Sequence, residues 1–101
     1  MTTDVFRYSF GEHVPLEEAE ATLVLSTFAV EGLCGVARVR MDLTYHVDDD
    51  RRVIWVDGSN RVGTWVVQVF TNLLVREFGE ESFQVRRVAD GSAPHTDGRA
   101  S

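Results

Sequence analysis

Residues 35–47 alternate more cleanly than any other part of the chain. Ala37, Val39, Met41, Leu43, Tyr45 and Val47 fall on one side, and Val36, Arg38, Arg40, Asp42, Thr44 and His46 on the other. A two-residue period is that of a pleated strand with one buried and one wet face, so the pattern predicts a long strand. Asp48, Asp49 and Asp50 supply a turn, and residues 51–57 return as a second strand, which makes a β-hairpin. Loop parity then decides where Trp55 points. With residues 48–50 as the loop, Leu43 pairs with Trp55, which joins the buried face. With an even loop, Leu43 lies opposite Val56, and Trp55 and Val53 stand on the open face among arginines, because a slip of one residue exchanges the two faces. Hairpin parity leaves both open, and Trp55 inward is the expectation taken.

The flanking segments complete the pattern. Residues 4–10 alternate, with Phe6, Tyr8 and Phe10 on one side and Val5, Arg7 and Ser9 on the other, and read as a strand. Pro15 suits a first helical position, and Glu17, Glu18 and Glu20 crowd the positive end of the helix dipole. That helix is predicted over 15–31, with Gly32 as its stop. After Asp57-Gly58, Ser59 or Asn60 caps a second helix over 60–78. Its many β-branched residues favour a strand by propensity. Its length and its stripe of Val62, Val66, Val69, Phe70, Leu73 and Phe78 favour a helix. Residues 82–88 read as a last strand. Residues 89–101 are small and polar, without an apolar period, and read as a disordered tail beyond a single domain over 1–88.

The predicted order is β-α-β-β-α-β. Its economical packing is an antiparallel four-stranded sheet with both helices on one face. This resembles the ferredoxin-like α+β sandwich in topology alone; no sequence motif carries the likeness, and the fold hosts many functions. A two-layer sandwich leaves one sheet face open. Arg7, Arg38, Arg40, Asp42, Thr44 and His46 are expected there, with either Ser82, Gln84 and Arg86 or their neighbours.

Composition excludes several chemistries. All ten basic residues are arginines, against sixteen acidic residues, for a formal net charge of −6. Without lysine there is no Schiff base, no catalytic ammonium and no phosphate-loop lysine. Net acidity disfavours general nucleic-acid binding, which draws its affinity from cationic contacts to phosphates. The uncharged stretches within 21–30 and 62–75 fall short of the roughly 20 apolar residues of a membrane span. No basic start followed by an apolar run marks a secretory signal, and one cysteine forms no internal disulfide. The expected location is the cytoplasm, with no membrane.

No catalytic or metal constellation emerges. Gly58 and Gly63 have phosphate-loop spacing, yet the position that needs lysine is Thr64. His13, Cys34, His46 and His95 lack zinc spacing, and Cys34 reads as a small apolar residue. No cofactor is implied. The excess is apolar: Val24, Leu25, Phe28, Trp65, Val67, Leu74 and Val75 exceed one helical stripe under a small sheet. The expectation is therefore a non-enzymatic module for protein–protein contact, regulatory or assembly-related. It would form a homodimer through the open sheet face, the overhanging second strand or the helix layer. Its candidate interface residues are Val36, Arg38, Arg40 and Trp55 on the sheet and Trp65 on the helix. The alternative is a sensor that binds a small anionic metabolite or nucleotide, either with Ser59, Asn60 and Arg61 at the start of the second long helix or at a dimer seam.

Overall fold

The computed structural model describes residues 4–88. The predicted tail, 89–101, lies outside the described residues, as does His95. Four strands form one antiparallel sheet in the order β2-β3-β1-β4: β1 is Val5–Phe10, β2 Tyr45–Asp48, β3 Val53–Asp57 and β4 Phe83–Val88. Three helices accompany it, α1 (Leu16–Cys34), α2 (Val36–Asp42) and α3 (Arg61–Phe78), and a 3-10 turn at Glu80–Ser82 leads into β4. The class is α+β.

The ferredoxin-like β-α-β-β-α-β order is not what the chain forms. The observed order is β-α-α-β-β-α-β, because the first half of the predicted long strand is the helix α2. The reason is local. Val36, Val39 and Leu43 satisfy a helical period as well as parts of an alternating one, and Ala37, Arg38, Arg40 and Met41 are good helix formers. Of the residues expected to line the buried face, Val39 is buried while Met41 is 81% exposed. Gly35 turns the corner between α1 and α2 with φ 92°, a backbone region open to glycine, and its N–H donates to the Glu31 carbonyl at 2.9 Å. The stop of α1 is therefore Gly35, not Gly32, which stays inside the helix. Only residues from Tyr45 onward pair as a strand.

The core lies between the helices and the sheet face that carries Tyr8. Tyr8, Ile54 and Val56 meet Leu23 and Val30 of α1 and Val66, Phe70 and Leu74 of α3 there. The Tyr8 and Phe70 rings stack at a tilt with centroids 4.7 Å apart. The hairpin closes at Asp48 and Val53, so its loop is 49–52, an even count. Trp55 consequently pairs with Arg7 and His46 on the face opposite Tyr8. The inward placement of Trp55 is corrected by this parity. The fourth loop residue, Arg52, holds φ 58°.

Candidate functional site

The open sheet face is built by register. Arg7 sits at its centre with Trp55 on one side and Arg86 on the other, and His46 lies beyond Trp55. The Arg7 guanidinium carbon stands 5.6 Å from the centre of the Trp55 ring, within cation–π range. Val36, Arg38 and Arg40 are not on this face: they lie on α2, where Arg38 makes an i,i+4 ion pair with Asp42 at 3.7 Å. Asp42 ends α2 and Thr44 precedes β2, so the expected guanidinium-studded surface retains only Arg7 and Arg86 with His46 and Gln84.

The outer side of α1 is apolar over its middle turns. On α1, Ala19, Leu23, Ser26 and Val30 are buried. At 100° per residue, Glu17, Ala21, Val24, Leu25, Phe28 and Gly32 fall on the opposite side. Leu25 is 58% exposed and Phe28 60%. No charged residue interrupts α1 from Ala21 to Val30. Burying such a face elsewhere returns about 25 cal/mol for each Å² of apolar surface removed from water. Leaving it wet is the arrangement expected of a surface that meets another chain.

Separate from this stripe, an open groove of about 530 Å³ at the C-terminal end of α1 is lined by Leu33, Cys34, Arg38, Arg61 and Trp65. Three residues singled out separately from the sequence, Arg38, Arg61 and Trp65, therefore meet. The corner at Gly35 swings α2 beside the start of α3, which brings Arg38 to Arg61. Leu33 and Cys34 carried no signal beyond their apolar character, because their neighbours across the groove are distant in sequence. Cys34 is a half-buried free thiol.

Ser59 and Asn60 are engaged in holding the start of α3. Asn60 Oδ1 accepts the Gly63 N–H at 2.8 Å, and its Nδ2 donates to the Asp42 carbonyl at 2.8 Å. The Ser59 hydroxyl and N–H both donate to Asp57 Oδ1. Asn60 thus caps α3 and ties it to the end of α2. Of the three residues, Arg61 alone presents its side chain to the groove.

Two of the remaining candidates have structural partners. His13 Nε2 lies 3.3 Å from the Ser82 hydroxyl, and Asp48 accepts the Arg51 N–H at 3.2 Å in the hairpin turn. Among the described residues no group of three or more His, Cys, Asp or Glu side chains is placed to hold a metal ion, and no helix is long and apolar enough to cross a membrane. Comparison of the chain with protein-family models, with curated proteins and with solved structures finds no match.

Proposed function

We propose that this chain is a small interaction module that works by self-association, in an assembly or regulatory role in the cytoplasm and without chemistry of its own. The observation that carries this reading is the outer face of α1, uncharged from Ala21 to Val30, with Leu25 and Phe28 more than half exposed. Both are large side chains on the rigid element that also builds the core, so the surface is pre-organised, and a partner binding it loses little to ordering. The sheet face is the weaker docking surface, since Arg7 and Arg86 sit side by side there. Its edge strand β4 also ends in Arg86, Arg87 and Val88, and such charges discourage strand-to-strand pairing.

Molecular mass by light scattering over a range of concentrations tests the reading. The expected result is a mass that rises from monomer to dimer, and Leu25→Glu with Phe28→Glu holds the chain at monomer mass with unchanged helix content. A monomer at every concentration would overturn it.

A further inference from the structure

We infer that the open sheet face binds a nucleoside monophosphate, with its phosphate held between Arg7 and Arg86 and its base laid on Trp55. The site is on the side of the sheet away from the helices, so it goes beyond the self-association proposed above and does not depend on it. Register alone sets it out. His46 of β2 is opposite Trp55 of β3, Trp55 is opposite Arg7 of β1, and Arg7 is opposite Arg86 of β4. The four residues share one row on one face. At a strand spacing of about 4.8 Å, Trp55 and Arg86 stand about 10 Å apart.

The pairing of Arg7 with Arg86 is the feature the fold does not explain. Like charges directly opposite each other destabilise an antiparallel pair. Neither guanidinium takes part in an ion pair among the described residues. Arg7 is drawn to Trp55 on one side, while Arg86 has no such neighbour on the other. On this face β1 offers Val5, Arg7 and Ser9, and β4 offers Gln84, Arg86 and Val88. Half of the face thus holds two cations and no acid, in a chain of net charge −6. Asp4 pairs with Arg87, whose side chain alternates to the other face. The acids of this face, Asp48 and Asp57, lie on β2 and β3 and are taken up locally: Asp48 accepts the Arg51 N–H, and Asp57 the Ser59 hydroxyl and N–H.

An anion between the two guanidinium groups removes their repulsion and gains charge-assisted hydrogen bonds from both. Ser9 and Gln84, opposite each other about 7 Å along the strands, add neutral donors on the same side. Four donor groups exceed what the two oxygens of a carboxylate use and suit the three terminal oxygens of a phosphate. The rest of the row specifies a flat ring. Trp55 is half-buried, with Arg7 5.6 Å from its ring centre, and the exposed His46 lies beyond it. A base stacks on such an indole, as it does on a guanidinium plane. The row takes one base, its sugar and its phosphate. Two cations do not supply the track of phosphate contacts from which a polynucleotide draws its affinity, and the net charge opposes it.

Isothermal titration calorimetry on the full chain with adenosine monophosphate tests the site. Arg7→Gln and Arg86→Gln should each weaken binding at least tenfold. Adenosine, which lacks the phosphate, and inorganic phosphate, which lacks the ring, should each bind at least tenfold more weakly than the nucleotide. Arg38→Gln with Arg61→Gln, in the groove, should leave binding within twofold. So should Leu25→Glu with Phe28→Glu, which separates this site from self-association: either can fail without the other. Arg86→Gln is also the control for folding. Relieved of a like-charged neighbour, it should melt no lower than wild type without nucleotide, and adenosine monophosphate should raise the melting temperature of wild type and not of this variant. In a Trp65→Phe chain Trp55 is the sole indole, and its fluorescence should fall on binding. No heat and no quenching with adenosine, guanosine, cytidine or uridine monophosphate would overturn the proposal. So would a fragment that binds as tightly as the whole nucleotide, or binding that is lost with the groove pair and kept with Arg7→Gln and Arg86→Gln. A short single-stranded oligonucleotide should bind no tighter than the mononucleotide, and an affinity that climbs tenfold or more with length would overturn the proposal in favour of nucleic acid.

Discussion

The hydroxyl of Tyr8 lies 2.8 Å from Oγ1 of Thr71, joining the central strand to α3 through the middle of the core. Tyr8 is wholly buried, and burial pushes its phenol up to about 12 from an ordinary 10.0, with the Thr71 hydrogen bond opposing part of that rise. Between these two values the folded chain keeps a proton that the unfolded chain releases. The stability this confers is complete below about pH 10 and is lost as pH rises to about 12. No lysine titrates in this window to blur it. Tyr8→Phe should cost about 1 kcal/mol at neutral pH and flatten the alkaline fall. Urea unfolding at pH 8 and pH 11 measures both, and an alkaline slope equal in the two proteins would refute the assignment.

Arg52 clamps the hairpin to the turn after β1. Its guanidinium donates to the carbonyls of Gly11 and Val14, its own carbonyl accepts the Phe10 N–H at 3.1 Å, and its φ of 58° lies in the left-handed region. Arg52→Ala removes two donors from partly buried carbonyls and keeps the unfavourable backbone, for a loss of about 2 kcal/mol. Arg52→Gly loses the same donors but relieves the backbone, so its loss should be smaller. Chemical denaturation of the pair settles the order, and a glycine variant no more stable than the alanine one would remove the backbone contribution.

Gly63 sits where α3 passes over the end of β3. A Cβ there would overlap the Asp57 carbonyl oxygen, which is backbone and cannot step aside. Gly63→Ala should lower stability by about 2 kcal/mol. At Gly32 nothing stands within 4 Å of the added carbon, and Gly32→Ala should leave the folded chain as stable or up to about 1 kcal/mol more so. Thermal melts of both at low protein concentration make the comparison.

Much of the chain was legible because its signals are local. The alternation of β1, the cap at Asn60 and the stripe of α3 each need only near neighbours, and the predicted helix over 60–78 forms as Arg61–Phe78. Residues 35–47 misled for a physical reason: a short run with apolar residues at both even and odd offsets satisfies two periods at once, and only burial chooses between them. Val39 has a core position to fill and Met41 has none, which a linear reading does not contain. Loop parity was equally silent. Three aspartates suggest a turn without saying that Arg52 belongs to it, and Arg52 joins the loop because its guanidinium reaches carbonyls some forty residues away.

By itself the sequence determined the class of chain: a small acidic α+β unit, rich in valine, free of lysine, with more apolar helix surface than one sheet can cover. These follow from composition and near-neighbour periodicity, which any conformation inherits. The tertiary structure decided which apolar and charged residues share a surface. It moved Arg38 from the sheet to a groove beside Arg61 and Trp65, turned Trp55 outward onto Arg7, and left Leu25 and Phe28 of α1 exposed. Such neighbours are set by a corner at Gly35 and a loop of even length, each a matter of one residue's backbone, whose consequences appear only once distant segments are packed together.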